Sequence, residues 1–262
     1  MKLNLLSSNT PSASLRYIFC PWFHDSILSV DEIKYQAKRV TEKYSTGWYI
    51  IAQELPDFIS KPIFGSQKRP RTKYLRESAS ISQNDVFELY TYYTRLCVET
   101  INNDINQWIE ILDKQDIFRY ACEKVLKHLQ QTLTILSDQQ LKLIKNKLRA
   151  ILNKNRKFAD SDWALPERFL KQIEKCYESI VFENKVYDYT HLFDMYLGDS
   201  DLSIHPKIWK ENETVIQEQI ENEERFITEQ MIEFREKKYD LEELLKLAGF
   251  ESGNRLIFGR VI

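Results

Sequence analysis

The sequence has too few glycines for the loops that bind phosphates and dinucleotides. Only six glycines occur in 262 residues, and all of them fall at the ends of predicted elements. A loop that cradles a phosphate needs several glycines close together, so the nucleotide-binding classes built on such a loop are excluded. A G-x-S-x-G sequence is absent too, which leaves serine hydrolysis at a strand-to-helix turn without support. We therefore expect no cofactor.

Paired cysteines and long apolar runs are missing as well. Cys20, Cys97, Cys122 and Cys176 are far apart and form no C-x-x-C pair, so we expect reduced thiols in the core. No apolar run approaches the ~20 residues of a membrane helix, and the N-terminus is too weakly apolar for a secretory signal. These absences predict a cytoplasmic protein.

An excess of either charge is also absent. The 37 Lys and Arg residues nearly balance the 39 Asp and Glu residues, which gives a net charge of −2. No whole-molecule field therefore draws the chain to nucleic acid or to an acidic membrane. An electrostatic partner has to be recognised by a local charge cluster.

What the chain has is apolar periodicity at helical spacing. Between Val86 and Leu112 apolar residues recur every one, three or four positions, which predicts one continuous helix of roughly 40 Å. Capping signals predict where other helices begin. These signals lie at residues 29–32, Ser82, residues 137–140, Pro166 and Asp240. Residues 180–189 fit either a hairpin turning at Asn184 or a continuing helix.

The two ends of the chain have a different pattern. Residues 2–6, 15–20 and 47–52 are rich in apolar and β-branched residues and predict strands, and residues 255–262 predict another after a Gly253-Asn254 turn. We expect the ends to pair in one small sheet. The predicted fold is mainly α: a bundle of about six to eight helices with a small terminal sheet. It forms one domain over 1–262, with mixed strands, loops and one helix over 1–79, the bundle over 80–249 and a strand over 250–262.

A basic segment follows the capping signal at residues 137–140. From Gln139 to Ala159 seven basic residues occur without an acidic one, and Lys142, Lys145 and Arg149 form one row beside the apolar stripe. Such a row can hold the phosphates of nucleic acid. A solvated helix face is the alternative interpretation.

The balancing negative charge is concentrated in a predicted helix after Pro206. Six glutamates occur there with no basic residue among them: Glu211, Glu213, Glu218, Glu221, Glu223 and Glu224. Glu223 falls within the apolar stripe of Ile216, Ile220 and Ile227. A buried carboxylate needs a partner, so either an internal Arg or Lys pairs with Glu223 or the segment faces a basic partner.

One cluster has the side chains that bind transition metals. His191, Asp194, Asp199, Asp201 and His205 fall within fifteen residues, and His and Asp together bind Zn or Mn. Residues 198–201 also have ordinary turn composition, and the spacing matches no standard metal motif.

Two function classes follow from these patterns. In the favoured one the chain is a non-enzymatic protein-binding protein, such as an immunity protein or inhibitor, whose acidic helix covers a basic surface on a toxin or nuclease. In the alternative it is a metal-dependent hydrolase or nuclease that uses the His and Asp cluster at 191–205, with the basic row holding nucleic acid. The scarcity of catalytic motifs favours binding over catalysis.

Overall fold

A computed structural model describes residues 18–21, 28–57, 82–101, 104–197, 203–206 and 213–248. The side chains of residues 193–197, 213–217, 219–220 and 223 are outside this description. Over the described ranges the chain is mainly α-helical, which confirms the predicted class, and contains no β-strand. None of the described helices combines the length and the apolar character required to cross a bilayer.

The sheet predicted for the chain ends has no support in the described residues. The segments 2–6 and 255–262 lie outside them, and of the segment 15–20 the described residues 18 and 19 are helical. The strand predicted at 47–52 is wrong, because Gly47–Ala52 forms an α-helix. Trp48, Ile51 and Ala52 are buried at helical spacing there, so tertiary packing overrides the β preference of these residue types.

The chain divides into two compact units, residues 1–129 and 130–262. Each is described by itself, and the single domain predicted from the sequence stays a prediction. The division falls after Leu129, inside a helix that covers Ile117–Leu133 and is kinked at Ala121.

Four further helices of unit 1, residues 1–129, have both ends within the described residues. They are α1 (Val30–Lys43), α2 (Gly47–Ala52), α3 (Gln83–Glu99) and α4 (Ile105–Leu112), and the kinked helix is α5. Each of α1, α2 and α3 packs on the other two. Gly47 allows the tight entry into α2, because a Cβ at this position would lie 2.0 Å from the carbonyl oxygen of Val40.

The single long helix predicted between Val86 and Leu112 is wrong, since α3 ends at Glu99 and α4 begins at Ile105. The Asp104 carboxylate accepts from the Asn106 backbone N–H over 2.9 Å. Asp104 is therefore the N-cap of α4, which starts a new helix within the predicted apolar stripe.

Unit 2, residues 130–262, contains α6 (Asp138–Lys157), α7 (Glu167–Glu178), a 3₁₀ segment (Lys185–Leu197), α8 (Glu213–Glu236) and α9 (Leu241–Leu247). Residues 180–189 are therefore neither a hairpin nor a continuing α-helix. The Asp138 carboxylate fixes this region, because it accepts from the backbone N–H groups of Glu183 and Asn184 over 3.0 and 2.9 Å. The 3₁₀ segment packs on α6, α8 and α9.

Candidate functional site

The inner side of α6 carries a lysine that is mostly withdrawn from solvent. Lys145 Nζ lies 2.8 Å from Asp188 Oδ1 and donates to the Ile180 carbonyl over 3.2 Å. It also lies over the Tyr177 and Phe182 rings, 5.5 and 4.7 Å from their centroids. The Lys145 side chain is only 13% exposed, and the Asp188 carboxylate offsets its charge.

One turn further along α6, Arg149 is 5% exposed and has only neutral hydrogen-bond acceptors among the described residues. Its Nη1 donates to Asn146 Oδ1 over 2.8 Å and its Nη2 to Tyr177 Oη over 3.3 Å. Its Nε has no partner within the described part of the chain. An isolated buried charge is costly, and within the described residues only neutral acceptors and the Tyr177 ring, whose centroid is 5.7 Å from Cζ, offset that of Arg149.

Arg156, on the same helix, is mostly buried and forms the ion pairs that a buried arginine usually has. Its Nη2 lies 2.7 Å from Glu174 Oε2 and 3.0 Å from Glu167 Oε1, so two carboxylates offset its charge. Its Nη1 also donates to the Ile204 carbonyl over 2.8 Å. Arg156 of α6 thus forms ion pairs, whereas Arg149 forms none within the described ranges.

Two more buried polar side chains beside Arg149 have an unused atom. Asn153, 3% exposed, donates to the Ser203 carbonyl over 2.8 Å, while its Oδ1 has no partner in the described residues. His191, 7% exposed, lies in the 3₁₀ segment with its ring centroid 6.4 Å from that of Phe226. Its Nδ1 is likewise unpartnered over the same ranges.

The electrostatic surroundings of His191 are positive. Burial holds the pKa of its imidazole well below the ordinary value, and the charges of Arg149, Lys145 and Lys142 lower it further. A hydrogen bond with the Asp188 backbone acts in the opposite direction. The imidazole is therefore neutral at physiological pH.

These groups adjoin a pocket of about 400 Å³ within unit 2. Lys145, Tyr177, His191 and Ser203 line it directly, and Arg149 and Asn153 hydrogen-bond to Tyr177 and Ser203. Aromatic side chains supply much of the remaining wall: Tyr189, Phe226 and Tyr239.

The pocket wall also carries an ion pair between Glu233 of α8 and Lys237, the residue that follows the end of α8. Lys237 donates to Glu233 over 2.5 Å and to Tyr189 Oη over 3.1 Å. The hydrogen bond with Glu233 raises the pKa of Lys237, and the same bond lowers the pKa of Glu233. The charges of this pair are thus mutually offset, unlike the charge of Arg149.

The structure brings two of the five predicted metal ligands to this pocket. His191 and His205 both line it, but His205 Nε2 lies 2.9 Å from Glu174 Oε1 and its Nδ1 lies 3.1 Å from Arg156 Nη1. Asp199, Asp201 and the side chain of Asp194 lie outside the described residues. Within the described ranges no three His, Cys, Asp or Glu side chains are grouped to hold a metal. The metal site stays a prediction.

The predicted basic row turns inward instead of facing solvent. Lys142 donates to the Leu247 carbonyl over 3.2 Å, and Lys145 and Arg149 lie beside the pocket as described. The row is therefore not a solvated face, and nucleic-acid binding by its residues stays a prediction.

The acidic residues occupy the outer side of α8. Glu218, Glu221 and Glu224 are exposed, whereas Glu211 and the side chains of Glu213 and Glu223 lie outside the described residues. The sequence interpretation missed that exposed Glu229 and Glu236 continue this side, and that Ile232 between them is 51% exposed. Their spacing of three and four residues was the available signal.

The sequence interpretation also missed Asn153 and Tyr177. Asn153 lies four residues after Arg149, so the two polar side chains share a helix face next to buried Leu148 and Leu152. Polar residues at this spacing beside a core stripe were the signal. Tyr177, 28 residues after Arg149, had no local signal.

Comparison of the chain with protein-family models, curated proteins and solved structures finds no match. A function for the pocket or for the acidic side of α8 therefore has to be argued from the residues of this chain.

Proposed function

We propose that this chain is a non-enzymatic, cytoplasmic protein-binding protein of the immunity-protein or inhibitor class. The outer face of α8 covers a basic surface on its partner, a toxin or nuclease. The observation that carries this proposal is an exposed row of glutamates around an exposed isoleucine on one helix face. These residues are Glu218, Glu221, Glu224, Glu229, Ile232 and Glu236, and the exposed Arg225 lies among them, four residues before Glu229.

The composition of this face suits a docking surface. Acidic side chains speed association with a basic partner and set specificity, whereas affinity comes from apolar anchors near the centre of the contact. Ile232 supplies such an anchor, while Phe234 on the opposite side of α8 is 2% exposed and holds the helix to unit 2. The outer face can therefore change without loss of the fold.

The cytoplasmic assignment has its support in the thiols. Cys20, Cys97, Cys122 and Cys176 are all free and all buried. Disulfides are rare in reducing compartments, and free core thiols are compatible with one.

A charge-reversal pair of variants tests the proposal. The acidic-face variant carries Glu218→Lys, Glu221→Lys and Glu224→Lys, and the control carries Glu42→Lys, Glu123→Lys and Glu178→Lys at exposed positions elsewhere. Both change the net charge equally. In affinity capture from native cells, wild type and control should retain a stoichiometric basic protein that the acidic-face variant loses. With that partner purified, the association rate of the wild type should fall steeply with salt. Equal retention by all three proteins would exclude α8 as the interface.

The alternative, a metal-dependent hydrolase or nuclease, has one observation in its favour, which is that His191 and His205 line the same pocket. The buried charge of Arg149 beside that pocket opposes a divalent cation. Metal analysis tests it: one Zn or Mn per chain that His205→Ala removes would support hydrolysis, and metal-free protein without a thermal shift in Zn or Mn would reject it.

A further inference from the structure

We propose that the unit 2 pocket binds a small organic oxyanion, a phosphate or carboxylate group attached to a ring. This ligand site is separate from the acidic face of α8. The inference rests on the buried charge of Arg149, which has no carboxylate partner among the described residues, on the unpartnered Nδ1 of His191 in the pocket wall and on the volume and lining of the pocket.

The charge argument comes first. Arg149 is buried with no carboxylate partner among the described residues, whereas Arg156 on the same helix has two. Lys145 lines the pocket and adds a second cation, and Asp188, which offsets it, also lines the pocket. An anion in the pocket supplies the missing negative charge, and a cation there adds to the repulsion.

The hydrogen-bond argument points to the same group. His191 Nδ1, Arg149 Nε and Asn153 Oδ1 have no partner within the described ranges, although each atom is buried. Buried polar atoms in native proteins are nearly always hydrogen-bonded. Tyr93, Gln107 and Trp108 of unit 1 also carry a buried polar atom without a described partner, but in unit 2 the three belong to His191, which lines the pocket, and to two residues that hydrogen-bond to lining residues, which points to an absent ligand. Oxyanion oxygens accept from the imidazole and the guanidinium, and a protonated phosphate oxygen or a hydroxyl donates to the amide.

The size and lining of the pocket suit a ring behind the anionic group. Its volume of about 400 Å³ is in the range of sites for small organic molecules and exceeds what a bare phosphate fills. Tyr177, Tyr189, Phe226 and Tyr239 line it and offer faces and edges for a planar body.

Titration of the full-length chain with matched small probes tests this inference. The anionic probes are phenyl phosphate and benzoate, the neutral control is phenol, and the cationic control is benzamidine. We expect saturable binding of at least one anionic probe, with phenol and benzamidine at least about tenfold weaker, and the better anion identifies the oxyanion. Equal binding of charged and neutral probes, or no binding of either anion, would overturn the proposal.

Two variants link the binding to the buried charge. Arg149→Gln should lower the affinity for the anionic probe by about tenfold or more. Lys154→Gln, at an exposed position of the same helix, should change that affinity less than about twofold. Equal effects of the two changes would contradict the site.

NMR titration of the His191 imidazole tests the site in the wild-type chain, so it does not depend on whether a variant folds. Binding of the anion should raise the pKa of the imidazole in the wild-type chain, because negative charge beside it favours the protonated form. An unchanged pKa at saturating probe would place the probe elsewhere. If Asp194→Asn, Asp199→Asn or Asp201→Asn instead lowers that pKa and no probe binds, the chain itself supplies the counter-charge and the proposal is wrong.

Discussion

The two units differ in how many aromatic side chains they bury. Of the six aromatic side chains that are at most 2% exposed in the described residues, four belong to unit 1, and Phe182 and Phe234 belong to unit 2. Trp108, Tyr93 and Phe118 are examples from the unit 1 core, each at most 1% exposed. Unit 2 buries Arg149, Asn153 and His191 next to a pocket. Unit 1 buries polar side chains too, among them Glu54 and Asp116, so what distinguishes unit 2 is that its buried polar groups adjoin the described pocket.

The buried charges of the two units also differ in sign. Among the described residues the buried carboxylates of unit 1 are Glu54 and Asp116, and Asp116 Oδ1 lies 3.0 Å from Arg119 Nε. Over the same description, the buried charge of unit 2 is that of Arg149, since the buried imidazole of His191 is neutral. A buried acid with a nearby base is an ordinary structural pair, whereas a buried base without a described acid indicates a ligand.

The largest expected effect is in the unit 1 core. Trp108→Ala should lower the free energy of unfolding by about 3–5 kcal/mol, because it removes a large side chain that is 1% exposed and leaves a cavity. Urea denaturation measures it. Tyr35→Ala, at a side chain that is 63% exposed, should stay within about 0.5 kcal/mol of the wild type. Similar losses in both variants would mean that unit 1 is not held by its core.

Arg149 should behave in the opposite way. Arg149→Met replaces a buried charge with an apolar side chain of similar length, and we expect the ligand-free protein to gain about 1–3 kcal/mol of stability. This is a net value, because removal of the buried charge stabilises the fold by more than the lost hydrogen bonds to Asn146 and Tyr177 destabilise it. Urea denaturation at low and high phosphate checks the sign. A loss of stability in both conditions would show that Arg149 is an ordinary structural residue and would remove the contrast between the units.

Local features of the fold were predictable because they depend on three or four neighbouring residues. The box of Ser29 with Glu32 forms as predicted, Ser82 caps α3 as predicted and the Asp240 carboxylate caps α9. The box that Ser82 forms with Asp85 was not predicted. Residues 47–52 were not predictable locally, since Trp48 is held by a hydrogen bond to the carbonyl of Cys97, 49 residues further along the chain.

The candidate site was predictable only in part, for the same reason. The basic row identified Lys145 and Arg149, but their burial depends on Tyr177 and the 3₁₀ segment, which contribute from other parts of the chain. His191 was singled out as a metal ligand. The structure instead surrounds it with positive charge, which no residue count along the sequence reveals.

The pH dependence of stability gives a third test of the contrast. Burial, and then the charge of Arg149, hold the pKa of His191 well below its ordinary value, so the folded chain keeps this imidazole neutral. The unfolded chain binds the extra proton below about pH 6.5, and this contribution to stability is present above that pH and lost as the pH falls. The loss should be about 1.4 kcal/mol per pH unit.

His191→Phe provides the matched control for this titration. The substitution keeps an aromatic ring beside Phe226 and removes the ionisable group, so its stability should fall less steeply between about pH 6.5 and about pH 5. Denaturant unfolding of both proteins over this range gives the difference. Parallel curves would mean that the folded protein protonates His191 as readily as the unfolded chain does.

The smallest expected effects come from one helix cap in each unit, and they test whether the units unfold together. Ser29 caps α1 in a box with Glu32, and Asp240 Oδ1 accepts from the Glu242 backbone N–H over 2.9 Å at the start of α9. Ser29→Ala and Asp240→Ala should each cost about 1 kcal/mol, because each leaves helix N–H groups without an acceptor. Differential scanning calorimetry resolves where that cost falls. If the predicted single domain is one cooperative unit, both variants lower the same transition by similar amounts. Two transitions, of which Ser29→Ala shifts one and Asp240→Ala the other, would instead show that the packed unit and the pocket-bearing unit are separate domains.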